Sequence, residues 1–293
     1  MASTSHRSVD HLVLPVVDLA TARLRLSALG FAVAPEARHP FGTENACVYF
    51  TDSTYLEPLA IADLKLYRQS ALNGNPFVQR DAAYRFRQGE DGLSAVVLTS
   101  EDSEADEALF QDKAIAAGSL RFSRPYRDAD GLEGMASFSL AFAADLRAPD
   151  LFFFTCQRTA PLAVPGELLS HPNGVTGMAE IILAEVRPMD FEPFVHSASF
   201  SHDVTLHPHG VCFSTGTATI SVCEHGYAET MLGLAPASGE RGLVARGIVF
   251  DITDLAACDN LLDANGVNHH AGDGLIIVPP APGQGVTFAF REA

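Results

Sequence analysis

The sequence predicts an α+β fold: four βαβββ units joined as two pairs, each pair closing one curled sheet. Three observations predict it. One order of elements, a strand, a helix and then short strands, recurs four times along the 293 residues. The first and last occurrences echo one another without a gap, and a Pro- and Gly-dense stretch divides the chain near its middle.

The echo is between "VDHLVLPVVDLATARLRLSALGF" and "RGIVFDITDLAACDNLLDANGV". At an offset of 236, Asp18, Leu19, Ala20, Leu26, Ala28 and Gly30 recur as Asp254, Leu255, Ala256, Leu262, Ala264 and Gly266. In the first unit His11 to Val16 is an apolar run with strand character. Asp18 is placed to cap the following helix and Gly30 to end it. "FAVAPE", "NACVYFT" and "TYLEPLAI" then read as three short strands separated by Pro, Gly, Asn and Asp.

The second unit opens at "LSAVVLTSEDSEADEALFQDKAIAAG", where Ser103 and Asp106 resemble a capping box and Gly118 closes the helix. "SLRFSRPY", "GMASFSLAFA" and "DLFFFTCQ" supply its strands, and "DADG" at Asp128 to Gly131 reads as a hairpin turn. The third starts at "GMAEIILAEV", passes through a helical piece around Phe191 to Ser199 and continues into "GVCFSTG" and "TATISVCE". The fourth is the echo, followed by "DGLIIVPP" and "GVTFAF". Between the second and third units, "RTAPLAVPGELLSHPNGVTG" sets a domain boundary near Pro165, giving domains 1–165 and 166–293. A single unit leaves one face of its sheet uncovered; two side by side cover it.

Composition narrows the function. With 47% hydrophobic and 19% charged residues the chain has globular rather than disordered composition. A formal charge of −17 repels a phosphate backbone, which excludes nucleic acid as a partner. No apolar stretch reaches the roughly 20 residues of a bilayer crossing, and Met1 to Arg7 lacks the apolar core of a secretory signal. The expectation is a soluble, cytoplasmic protein without a membrane partner. Cys47, Cys156, Cys212, Cys223 and Cys258 are scattered with no CxxC spacing, so they read as buried thiols. No Gly-rich loop follows a strand and opens a helix, so no nucleotide cofactor is expected.

The stretches "DHLVLPVVDL", "RHPFGTENACVYF", "TYLEPLAI", "FFFTCQR", "HPNGVTG" and "GLIIVPPAPGQGVTFAF", in this order, resemble the glyoxalase-like branch of the vicinal oxygen chelate superfamily, the glyoxalase, bleomycin-resistance and extradiol dioxygenase fold. The resemblance covers almost the whole chain. It implies cup-shaped sheets with site residues on the first and fourth strands of each unit, and it puts His11 and Glu57 at the positions of metal ligands in metal-dependent relatives. An imidazole and a carboxylate suit a divalent Fe, Mn, Zn or Ni ion, which would polarise substrate oxygens. The ligand set is incomplete. The second unit offers only Ala95 or Val96 and Phe153 to Thr155 at the matching places, so a third ligand falls to His171, to His39 or to the substrate. Many relatives carry His after "CQ", where this chain has Arg158. In the last unit Gly247 replaces His11, and Phe288, Ala289 and Phe290 stand where relatives place a carboxylate. That makes the C-terminal pair a structural or dimerising cup.

The candidate site is thus His11 and Glu57 as catalytic and metal-ligating residues, with Arg38, His39, Asn45, Phe153, Gln157, Arg158 and His171 binding substrate. Arg158 either grips an anionic substrate or lowers the pKa of Cys156. Phe41, Tyr55 and Phe154 add apolar lining. His207 to His209, Cys223 to His225, and His269 with His270 read as loops or edges. Two functions remain open: a lyase, isomerase or dioxygenase acting on a small oxygen-bearing metabolite, expected as a homodimer, or a metal-free protein that sequesters a small molecule as bleomycin-resistance proteins do.

Overall fold

The computed structural model of the chain describes residues 7–127, 133–159, 164–236 and 241–293. The first unit comprises β1 (Val9–Pro15), α1 (Leu19–Ala28), β2 (Ala37–Arg38), β3 (Thr43–Asn45), β4 (Val48–Tyr49) and β5 (Tyr55–Ile61). Two helices then intervene, α2 (Leu64–Leu72) and α3 (Pro76–Gln88). The second unit is β6 (Ala95–Thr99), α4 (Ser103–Asp112), β7 (Ala116–Arg127), β8 (Glu133–Ala143) and β9 (Phe152–Arg158). These strands form one nine-stranded sheet in the order β2-β3-β5-β1-β6-β9-β8-β7, with β4 also on β5. The two units join at its centre, where β1 runs antiparallel to β6.

The second half repeats the plan. It contains β10 (Val175–Ala184), α5 (Glu192–Ser199), β11 (Asp203–His207), β12 (Gly210–Ser214), β13 (Thr219–Cys223), α6 (His225–Leu232), β14 (Val244–Ile252), α7 (Leu255–Ala264), β15 (His270–Gly272), β16 (Leu275–Val278) and β17 (Thr287–Glu292). Its eight strands run β11-β12-β13-β10-β14-β17-β16-β15, again with the units' first strands, β10 and β14, antiparallel at the centre. The paired-cup α+β architecture expected from the repeat is the architecture observed.

The echo of the first unit in the last has a packing cause. The side chains of Asp18 and Asp254 accept from the amides of Thr21 and Ala257, at 2.7 and 2.8 Å, and so cap α1 and α7 alike. Both helices send a leucine, Leu26 and Leu262, into one large core between the sheets, shared with Leu12, Phe31, Ile248, Phe250, Phe288 and Phe290. Phe31 touches the rings of Phe250, Phe288 and Phe290 at 5.5 to 6.2 Å. Gly30, with φ +83°, ends α1 where a Cβ would come within 2.8 Å of the Asn173 Cβ, so no other residue fits without movement. Asn173 also donates to the Leu29 carbonyl at 2.8 Å, tying the inter-unit segment to the first helix.

Local expectations fail where short apolar runs lack pairing partners. "FAVAPE" forms no strand, and "NACVYFT" breaks into the end of β3 and β4. Helix α4 is capped by Asp102, which accepts from both Glu104 and Ala105, and it stops at Asp112; Gly118 lies inside β7 beside a register shift. The "DADG" turn lies outside the described residues. Among the described residues no helix is long and apolar enough to cross a membrane.

Candidate functional site

The inner face of the first sheet carries a second, separate core that includes Val13, Phe41, Leu59, Phe77, Val97, Phe138, Phe154 and Cys156. In its midst a small cavity of about 30 Å³ opens, lined by His11, His39, Tyr55, Glu57, Phe122 and Arg124 together with several of those side chains. His11 and Glu57 arrive there from parallel neighbours, since β1 pairs with β5 and brings Val13 opposite Glu57. Alternation along a strand keeps His11 with Val13, and Glu57 with Leu59, on the inner face. Pro58 has no amide proton to donate. It falls where the neighbouring strand is interrupted, between the β4 pairing at Leu56 and the β3 pairing at Leu59.

Glu57 is the hub. Its Oε1 accepts from the Asn45 side chain at 2.5 Å, its Oε2 lies 3.4 Å from His11 Nε2, and His39 Nε2 stands 3.6 Å from Oε1. Behind His11, Nδ1 shares a 2.5 Å hydrogen bond with Asp10 Oδ1. Strict alternation would turn Asp10 to the opposite face, but the β1–β6 register shifts between Val9 and His11, and the carboxylate reaches the ring. Arg158 donates to the same Asp10 oxygen and, at 3.0 Å, to the Tyr55 hydroxyl. The Tyr55 ring stacks on the His11 imidazole at 4.3 Å. His39 is held by Thr43 Oγ1 at 2.9 Å from Nδ1 and stacks on Phe41 at 5.0 Å, which leaves Nε2 turned to Glu57.

Burial opposes charge on all of these groups, and the partners decide each outcome. Burial alone would lower the pKa of His11, yet Asp10 and Glu57 outweigh it and raise the imidazole above its ordinary value. For Glu57 burial would raise the carboxyl, but the hydrogen bond and charge of His11, with His39 and Asn45, bring it down to about 2. Asp10 is likewise held below the usual range, as His11 and Arg158 overcome its burial. His39 has no such compensation: burial takes it down to about 4, so it is a neutral imidazole at neutral pH. Burial pushes the Cys156 thiol up despite the nearby Arg158, leaving no thiolate at neutral pH.

Of the residues singled out in the sequence, the structure brings His11, Glu57, His39 and Asn45 together, with Arg158 one step behind. Four lie elsewhere. Arg38 is 79% exposed and faces Glu44 at 3.5 Å. Phe153 points away from the cup, into the core between the sheets against Phe194. Gln157 accepts from the Ser103 amide and donates to the Glu101 carbonyl at the start of α4. His171 sits at the seam between the halves, its Nδ1 accepting from the Ala32 amide at 3.0 Å and its Nε2 donating to the Tyr49 carbonyl at 2.9 Å. Sequence reasoning missed Asp10, whose signal was its place beside His11. It also missed Phe77 on α3, and Phe122, Arg124 and Phe138 on the long β7–β8 hairpin, which carries no motif of its own.

A model of the glyoxalase-like domain matches residues 9–197, which include every residue of this site. The chain belongs to the glyoxalase-like domain family. No functionally curated protein matches its sequence. Solved structures extend the likeness across both halves. A hypothetical protein from Staphylococcus aureus superposes with a TM-score of 0.67 at 10% identity, covering 98% of this chain and 100% of that one. A triple mutant of 4-hydroxymandelate synthase from Streptomyces coelicolor gives 0.63 at 12% identity, covering 98% and 93%. A fusion of a xylose isomerase-like TIM barrel with a 4-hydroxyphenylpyruvate dioxygenase gives 0.53 at 13% identity, covering 98% of this chain and 49% of that one. At these identities the likeness is one of fold, that of the vicinal oxygen chelate superfamily.

In the second half of this glyoxalase-like chain the equivalent hollow is filled. Gly247 stands on β14 at the place of His11, and a Cβ there would meet Leu232 of α6 at 2.7 Å. Leu232 packs in that cup with Ala228, Ile182 and Val249. Among the described residues, three metal-ligating side chains whose donor atoms lie mutually within 4.8 Å occur in Asp259, Asp263 and His269, at the outer surface of α7. His11, His39 and Glu57 do not form so tight a group.

Proposed function

We propose that this chain is an enzyme acting on a small oxygen-bearing metabolite in the N-terminal cup, with a divalent metal ion held by His11 and Glu57 and with His39 as third donor. The supporting observation is the convergence of two imidazole Nε2 atoms on one buried carboxylate, at 3.4 and 3.6 Å. By donor type the trio fits a first-row divalent ion. The bond from Asp10 to His11 Nδ1 is the outer-shell contact that orients a ligating imidazole. Such an ion supplies Lewis acidity toward adjacent substrate oxygens.

The chain's own residues set the remaining chemistry. Asp10 fixes the His11 ring so that Nε2 faces the cavity, and His11 with Arg158 keeps Asp10 ionised. Asn45 orients the Glu57 carboxylate. His39, neutral and held at Nδ1 by Thr43, has Nε2 as its one remaining donor for the ligand set. The rings of Phe41, Phe77, Phe138 and Phe154 exclude water around the reacting atoms.

A second reading, a metal-free sequestering protein, is favoured by the wider spacing of the three donors and by the apolar inner face of the second unit, where Val97, Phe154 and Cys156 offer no further hard ligand. Metal analysis separates the two. Protein exposed to Fe, Mn, Zn or Ni(II) and desalted should retain about one ion, and His11→Ala should lose it, with His269→Ala controlling for the surface trio. Equal retention by wild type and His11→Ala refutes the metal-dependent reading and leaves the binding one.

A further inference from the structure

We infer that Arg124 is an anion clamp of the N-terminal cup, so that its ligand is a small organic carboxylate whose apolar body rests on the cavity's phenyl rings. This rests on the reading of that cup as the ligand site and is independent of whether a metal is bound. The guanidinium lines the cavity from β7, and its Cζ stands over the Phe138 ring at 5.7 Å. Its Nη1 is buried and has no hydrogen-bond partner. A buried, unmatched guanidinium N–H is costly, and one that lines a cavity is placed to be satisfied by what enters it.

The charges around it point the same way. Asp10 is matched by His11 and Arg158, and Glu57 by His11 and Asn45, so the acids of the site already have partners among themselves. Arg124 is the remaining charge in the lining, and the other lining groups, apart from His39 and Tyr55, are apolar or thiol. A carboxylate matches the guanidinium fork in charge and geometry. A cavity of about 30 Å³ admits only a short apolar body, on the order of one methyl group, beside the rings of Phe41, Phe77, Phe122, Phe138 and Phe154. Arg158, which the sequence offered as the anion grip, is engaged with Asp10, so the grip passes to an arginine two strands away in the sheet.

The test compares acetate with its neutral isostere acetamide by titration calorimetry on chelator-treated protein, with Arg124→Met and Arg124→Lys alongside. Acetate should bind the wild type at least about tenfold more tightly than acetamide, as expected for one charge-assisted hydrogen bond. Arg124→Met should abolish that preference, and Arg124→Lys should retain part of it. Circular dichroism melts confirm that each variant is folded, and the lysine variant keeps the question open to decision if the methionine variant is not. Equal binding of the two probes by wild type, a preference that survives Arg124→Met, or no binding of either probe overturns the inference. Failure of the metal reading shows instead in metal retention by His11→Ala, which this titration does not involve.

Discussion

Glu57→Gln in chelator-treated protein isolates the central electrostatic claim. The carboxyl lies at about 2 in the folded chain against an ordinary value of 4.5. At about 1.4 kcal/mol per pH unit, ionised Glu57 contributes about 3 kcal/mol of stability in metal-free protein. A lowered carboxyl stabilises fully above its unfolded value, and the contribution fades as pH falls toward the folded one. The gap between wild type and variant should therefore be about 3 kcal/mol near pH 6 and should close progressively between pH 4.5 and pH 2. Glutamine keeps an oxygen for the Asn45 donor, so the difference reports the charge rather than a lost hydrogen bond. Urea unfolding at pH 6, 5, 4 and 3 measures it. A gap that stays constant across this range would refute the account of Glu57 as an anion held by His11.

Three other outcomes follow from the packing and charge network. Arg158→Met strips Asp10 of one of its two cationic partners and should destabilise the chain by about 3 kcal/mol or more, seen as a lower melting temperature. His11, raised above its ordinary pKa by two carboxylates, stabilises fully below pH 6.5, and that stability is lost as pH rises through its folded value; proton NMR of the ring in Asp10→Asn should show the titration shifted downward. Leu262→Ala, which opens a hole in the core between the sheets, should cost about 2 to 5 kcal/mol in denaturant unfolding although α7 is far from the cavity.

How legible the site was depends on which forces place each residue. His11 and Glu57 could be read through the resemblance, which puts site residues on the first and fourth strands of a unit, and a polar residue within an apolar strand run needs a partner in any case. Asn45 and His39 came with the turn-rich segment that leads back to the same strand. Phe153 was misplaced by one residue: alternation in β9 sends Phe154 and Phe152 inward and Phe153 into the other core, and a run of three phenylalanines conceals its own register. Gln157 and His171 are polar near the fold's seams, where backbone groups left over by helix starts and loop crossings claim them. Arg124 could not be read at all. Its approach depends on the pairing of 12- and 11-residue strands, β7 and β8, that brings Phe122, Arg124 and Phe138 to the cavity, a tertiary fact without a local pattern.

The two cups differ at both site positions of the echoed units: His11 on β1 and Glu57 on β5 give way to Gly247 on β14 and to Phe288, Ala289 and Phe290 on β17. At His11 a large polar side chain enters the inner face and demands partners, and Asp10, Glu57, Tyr55 and Arg158 supply them, which fixes a polar hub that apolar residues cannot cover without leaving it unsatisfied. At Gly247 no side chain enters, and the space admits Leu232 from α6. The helix that packs into the second cup follows β13 as α2 and α3 follow β5; there Phe77 joins the cavity wall, Tyr67 packs in the inner core, and Asp81 bonds with Tyr67 and Arg85. Replacing Gly247 with a larger residue should therefore disturb α6 before it disturbs the sheet. Replacing His11 with a small apolar one should enlarge the first cavity beside Phe77 of α3, a ring already in its wall.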